Sequence, residues 1–261
     1  MRQNNINIYV FSGTGNTLIA ANKMAETFDK SSYNATVYRM ESVSPKDVNL
    51  NSTIGIGFTI AFWNTYPFVR KWINDLPDGN GAEVFLFATM GDSSCGMIHR
   101  IAEILKKKNY YVIGAQSFLM PNNFLLVQGD NANEKKKNKS LLKIEEFAKS
   151  IMAEKQYLPK INIFTSIAFK ISSFVVLKLW NTKLAKKIMK FKINKKCNKC
   201  GVCASLCPVE NIEIKDTVTF KDKCLFCLRC VSYCPQQAMS NKILLKTYRA
   251  LKVSEISWKK Q

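Results

Sequence analysis

Eight of the chain's nine cysteines sit in two short runs, CNKCGVCASLCP at 197–208 and CLFCLRCVSYCP at 224–235. Both follow C-x2-C-x2-C-x3-C-P, so the pair is an internal repeat of about 27 residues. Four thiols within eleven residues point to metal binding, cross-linking or redox chemistry. Structural zinc and disulfides compete with an iron–sulfur reading at this point. Zinc sites usually draw on two separated cysteine pairs, a poor description of a run of four that ends in Cys-Pro. Pro208 and Pro235 close the runs, where a fixed φ helps turn the chain away.

The spacing resembles that of bacterial-type ferredoxins carrying two [4Fe–4S] clusters. Three thiolates two residues apart can wrap three irons of a cubane from one tight loop, and the fourth ligand has to come from its far side. The resemblance implies a crossed ligand set. Cys197, Cys200, Cys203 and Cys234 would hold one cluster; Cys224, Cys227, Cys230 and Cys207 would hold the other. VENIEI (209–214) stands where that family places its turn after the proline.

Residues 1–155 read differently, as alternating strand and helix. Apolar runs at 6–11, 35–40, 53–60, 82–89 and 110–118 predict five strands. Helical spacing predicts helices over 18–28, 67–76, 96–109 and 134–155. Leu141, Leu142, Ile144, Phe147 and Ile151 are expected to share one face of the last. This alternation implies an α/β unit with a doubly wound parallel sheet covered on both faces.

Between the first strand and helix lies SGTGNT (12–17): Ser12, Gly13, Thr14, Gly15, Asn16 and Thr17. Hydroxyls, glycines and the free amides of a helix N-terminus make an anion site. No lysine follows the second glycine, which excludes a Walker A loop, and the stretch is not G-x-G-x-x-G. A plain helix cap is the competing reading. The stretch resembles the FMN-phosphate loop of flavodoxins, S/T-x-T-G-x-T, through Ser12, Thr14, Gly15 and Thr17. That resemblance implies the flavodoxin strand order 2-1-3-4-5. It also implies a flavin ring held by the loops at 59–67 and 88–96, bordered by Thr89 and Gly91, with Trp63 stacked on it. Related flavodoxin–ferredoxin fusions carry aromatic residues where Ala61 and Met90 stand here, a departure that loosens the ring site. The asparagines of MPNNF (120–124) line the pocket or form a turn.

The chain carries 39 basic and 19 acidic residues, a formal net charge of +20. Residues 156–196 hold ten basic residues and no acid. The segment is too apolar for a flexible linker, and a solvated face on helices packing two units together is favoured for it. Nucleic-acid binding is not expected, and peripheral membrane contact ranks below the packing reading. INIFTSIAFKISSFVVLKLW (161–180) is interrupted by Lys170 and Lys178, so no span is expected. MRQNNINIYVF does not resemble a signal peptide, and clustered cysteines suit the cytoplasm. Cys95 is read as inert, and His99, the single histidine, as a packing or surface residue.

The expected organisation is a flavodoxin-like domain over 1–155, a basic helical connector over 156–193, a two-cluster ferredoxin domain over 194–240 and a basic tail over 241–261. The whole resembles fused flavodoxin–ferredoxin proteins. The function this implies is electron relay between FMN and two [4Fe–4S] clusters, serving redox partner proteins with acidic surfaces. A flavin-dependent reductase fed by the clusters is the alternative.

Overall fold

The computed structural model describes residues 4–61, 64–93, 96–123, 127–155 and 190–241. Trp63, Cys95, the connector from 156 to 189 and the tail from 242 lie outside them.

The first unit runs β1 (Asn5–Val10), α1 (Asn16–Asp29), β2 (Asn34–Arg39), β3 (Thr53–Thr59), α2 (Pro67–Asn74), β4 (Glu83–Met90), α3 (Met97–Lys107), β5 (Tyr111–Leu119) and α4 (Asp130–Met152). Its five strands pair in parallel, in the order β2-β1-β3-β4-β5. This is the flavodoxin-like order. Parallel strands need helical crossovers, so both faces of the sheet are covered. One face buries Ile56, Phe58, Val69, Trp72, Ile98 and Leu105 with α2 and α3. The other buries Ile8, Met24, Phe28, Phe87, Ile144 and Phe147 with α1 and α4.

Two glycines in the middle of β3 have a packing reason. A Cβ on Gly55 or Gly57 would run into the ring of Phe85 or Phe87 from the neighbouring strand. The rings lie across the bare backbone and fill the space that side chains would occupy.

The helix α4 begins at Asp130, four residues before the sequence periodicity suggests. Asp130 in its first turn suits the positive end of the helix dipole. Asn133 Nδ2 also donates to the Gln128 carbonyl at 2.9 Å, bracing that turn. Leu142 departs from the expected face: it is 65% exposed, while Ile144, Phe147 and Ile151 are buried. The apolar stripe follows 144, 147, 148 and 151, and residue 142 falls to its side.

The second unit is small: β6 (Lys192–Ile193), α5 (Val202–Ser205), β7 (Ile212–Ile214), β8 (Val218–Phe220), α6 (Arg229–Ser232) and β9 (Met239–Ser240). β6 pairs antiparallel with β9, and β7 with β8. Phe191 stacks on Phe226 with centroids 5.5 Å apart, in a core shared with Ile212, Leu228, Val231 and Met239. Phe191 to Ile193 therefore belong to this unit, although the sequence reading placed them at the end of the connector.

The sequence repeat is also a backbone repeat. Left-handed φ values occur at Lys199, Gly201 and Glu210, and again 27 residues later at Phe226, Leu228 and Gln237. Asn211 N donates to Cys207 Sγ and Ala238 N to Cys234 Sγ, both at 3.2 Å, so the sulfur contacts repeat as well.

Gly57→Ala is expected to destabilise the first unit by about 1–3 kcal/mol through the clash with Phe87. Thermal unfolding followed by circular dichroism measures this. Adding Phe87→Leu should recover part of the loss.

Candidate functional site

The loops after β1, β3, β4 and β5 border a cavity of about 530 Å³. It lies at the carboxyl ends of the strands, beside the β1/β3 switch point where open α/β sheets bind ligands. Gly13, Thr14 and Asn16 of the SGTGNT loop line it. Gly15 does not, but its φ of 109° makes the left-handed turn that starts α1. Ser12 Oγ, in the loop before the helix, accepts from Leu18 N at 3.3 Å and so satisfies one amide of its first turn. Thr17 Oγ1 lies 2.9 Å from Thr59 Oγ1 and 2.7 Å from Thr89 Oγ1. Those two bonds tie the start of α1 to the ends of β3 and β4, and turn Thr17 to a bracing role.

Two polar atoms of this loop are buried without a partner among the described residues: Thr14 Oγ1 and Asn16 Oδ1. Buried polar groups of this kind ordinarily have a partner. Thr14 Oγ1 can donate to a phosphate oxygen, and Asn16 Oδ1 can accept from a hydroxyl. The first amides of α1 add donors. This donor and acceptor set fits a phosphate monoester with a polyol arm, as FMN has.

Around the rest of the cavity stand Thr59, Ile60, Ala61, Tyr66, Thr89, Met90 and Gly91. Thr89 and Gly91 are thus brought to it, as are Ala61 and Met90. Asn122 and Asn123 also line it, so that stretch does more than turn the chain. Asn16 Nδ2 donates to Pro121 O at 2.9 Å and to Asn123 Oδ1 at 3.1 Å, fastening this loop to the SGTGNT loop. Lys136 Nζ reaches from α4 to the Gly91 carbonyl at 2.7 Å. Aromatic rings on the wall come from Tyr66 and, across the chain, from Phe226. Burial, with Cys227 and Cys224 close by, pushes the Tyr66 hydroxyl well above its usual range, so Tyr66 is a neutral donor.

Phe226, Cys227 and Leu228 close the cavity from the second unit. No local sequence signal links these residues to the SGTGNT loop, more than 200 positions earlier. The approach is close: a Cβ on Gly13 would run into the Cys227 carbonyl. Arg229 lies beside this contact and is 3% exposed. Its Nε and Nη2 donate to the Ser12 carbonyl at 3.0 and 2.7 Å. Nη1 donates to the Glu41 carboxylate and, at 3.0 Å, to the Leu206 carbonyl. The guanidinium also sits 5.3 Å from the Phe11 ring centroid. Burial alone would push the Glu41 carboxyl up. Arg229, helped by Arg39, outweighs that and holds it below the usual carboxylate range. No local sequence signal marks Arg229 or Glu41, since each reads as an ordinary charged residue.

The eight repeat cysteines are free thiols. They line two further cavities in the crossed sets that the family spacing implies. Cys207, Cys224, Cys227 and Cys230 border one; Cys197, Cys200, Cys203 and Cys234 border the other. No three His, Cys, Asp or Glu side chains among the described residues close on a point the size of one metal ion. Burial pushes the Cys224 and Cys230 thiols up, and Cys227 up to about 11. Without metal these groups are protonated, and iron would have to displace those protons. Cys200 is exposed and Cys234 buried, so the second set spans from the surface to the interior.

The family described as the 4Fe-4S dicluster domain matches residues 189–249. A ferredoxin of Methanothermococcus thermolithotrophicus is 41% identical over 46 residues, covering 16% of this chain and 77% of that protein. An uncharacterised protein of Methanocaldococcus jannaschii is 28% identical over 124 residues, 46% of this chain and 81% of that protein. Among solved structures, a Streptococcus pneumoniae flavodoxin aligns with 57% of this chain and 99% of its own, at 15% identity and a TM-score of 0.45. Rubredoxin oxygen:oxidoreductase of Desulfovibrio gigas aligns with 59% of this chain at 14% identity and a TM-score of 0.39, and this chain covers 37% of its length. For the first unit the strand order carries the fold assignment. The chain belongs to the ferredoxin family through its C-terminal 4Fe-4S dicluster domain, which is fused here to a flavodoxin-like domain.

Proposed function

We propose that this protein relays electrons between an FMN bound in the larger cavity and two [4Fe–4S] clusters held by the crossed cysteine sets. One observation carries the reading. Cys227 and Leu228 line both the larger cavity and the cavity of the Cys207, Cys224, Cys227 and Cys230 set. The two sites are therefore one residue thick at their boundary. A flavin accepts one or two electrons and an iron–sulfur cluster one, so both on one chain convert between the two kinds of donor.

The residues then have separate tasks. Thr14 and the α1 amides hold a phosphate, and Asn16 holds the polyol arm. Ala61, Tyr66, Met90 and Phe226 supply apolar walls. Tyr66 and Phe226 offer aromatic surface in a site where Ala61 and Met90 lack it. The second cysteine unit covers the cavity and excludes water from the boundary at Cys227. Amides donating to Cys207 and Cys234 lower the electron density on those sulfurs.

The other cysteine set opens to solvent at Cys200, and the exposed Lys195, Lys196 and Lys199 surround it in sequence. Their charge favours a redox partner with an acidic face, since complementary charge speeds encounter. No helix among the described residues is long and apolar enough to cross a membrane.

Anaerobically purified protein should contain about eight iron and eight acid-labile sulfide atoms per chain, with flavin retained on gel filtration. A chain that keeps no flavin after reconstitution defeats the relay. Thr14→Val should weaken FMN binding about tenfold, measured by quenching of flavin fluorescence, through loss of one hydrogen bond to a charged group. Cys227→Ser and Cys200→Ser should each remove one cluster, seen as a halved iron content, and the remaining signal should differ between the two variants. Electron transfer to an acidic acceptor should slow as salt rises from about 50 to 500 mM, where the screening length falls to a few ångström.

A further inference from the structure

We infer that Arg229 is a positioning residue that couples the flavin-phosphate loop to the adjacent cluster site, so that one side chain sets both. The inference rests on the relay reading above.

Arg229 starts α6, between Cys227 and Cys230 in the chain. Its forked guanidinium leaves the second unit and ends on the Ser12 carbonyl, with two bonds at 3.0 and 2.7 Å. In a trans peptide the carbonyl of one residue and the N–H of the next point in opposite directions. Holding Ser12 O toward Arg229 therefore aims the Gly13 N–H away from it. Gly13 lines the larger cavity. The clamp thus fixes an amide donor of the loop that would receive the phosphate. A lysine could supply the charge, but its point-like ammonium lacks the flat fork that reaches Ser12, Glu41 and Leu206 together.

The same cation lies two positions after Cys227 and one before Cys230 and stabilises negative charge there. The guanidinium is buried at this stretch, where little water screens its charge. Glu41 counters it from the first unit, 188 positions away in sequence. Changes to the two members of the pair should therefore move the nearby cluster potential in opposite directions. Removing the cation favours the oxidised cluster; removing the anion favours the reduced one.

The test uses the full chain with clusters loaded under anaerobic conditions. Arg229→Met, Arg229→Lys, Glu41→Gln and the exposed control Lys71→Met are compared with the parent protein. FMN and inorganic phosphate affinities are read by fluorescence and competition, and both cluster potentials by EPR-monitored redox titration. Arg229→Met should bind FMN and phosphate at least about tenfold more weakly, with Arg229→Lys in between. One cluster potential should fall in Arg229→Met and rise in Glu41→Gln, with the other cluster nearly still. Lys71→Met should match the parent. FMN affinity within twofold of the parent in Arg229→Met, or potentials that move the same way in the Arg229 and Glu41 variants, overturns the coupling. If Arg229→Met loses its clusters, Glu41→Gln alone decides: an unshifted potential overturns the inference, and a raised one supports it. Failure of the parent protein to bind FMN defeats the relay reading itself, a result distinct from any of these.

Discussion

The buried pair between Arg229 and Glu41 governs how the two units sit together. A guanidinium 3% exposed has left water and must be met by acceptors. Here both units supply them: Ser12 O and Glu41 from the first, Leu206 O from the second. Removing Glu41 would leave the buried guanidinium without its anion, at a cost of about 3–5 kcal/mol, whereas without Arg229 the carboxylate would still hold Arg39 at 2.9 Å. The bonds of Arg229 thus tie the SGTGNT loop and Glu41 of the first unit to Leu206 of the second. That geometry brings the Cys227 carbonyl so near Gly13 that no side chain fits between them. Glycine at position 13 thus serves the contact between units as much as the loop itself.

The duplicated cysteine runs have nearly the same backbone but different surroundings. Gly201 and Leu228 occupy equivalent left-handed positions. Glycine adopts that conformation freely, whereas a leucine pays about 1 kcal/mol or more. Leu228 is held there because it is buried between the core of the second unit and the larger cavity. Lys199 and Phe226 are also equivalent; one is exposed and the other buried on the cavity wall. The repeat thus has an outer copy that faces solvent through Cys200 and an inner copy that faces the first unit. Local spacing is common to both, and the side chains between the cysteines make the difference.

Much of the first unit was legible because its signals are local. Apolar runs bounded by turns gave the five strands, and the hydroxyl- and glycine-rich SGTGNT stretch marked the ligand end of the sheet. Thr17 shows the limit of that reading: its motif position suggests a ligand contact, while Thr59 and Thr89 take its hydroxyl. Those threonines lie 42 and 72 residues away, beyond any local pattern. Leu142 shows the limit for helices, since apolar character alone does not say which of two adjacent positions meets the core. Trp63 falls outside the described residues; among those described, Tyr66 and Phe226 bring aromatic rings to the cavity wall.

The sequence by itself determined the chemistry of each half. Cysteine spacing marks a duplicated four-thiol run, and its resemblance to two-cluster ferredoxins implies the crossed sharing of thiols. Strand periodicity and the SGTGNT turn point to a parallel sheet with a helix starting at a hydroxyl- and glycine-rich loop, because hydrogen-bonding geometry acts over a few residues. Only the tertiary structure decided that the two chemistries share a wall. Phe226, Cys227 and Leu228 cover a cavity built by residues 13–123, and Arg229 joins the loops on either side. Contacts between residues some 200 positions apart depend on how two buried surfaces and one desolvated charge fit together. Complementarity of that kind arises only once both units have folded.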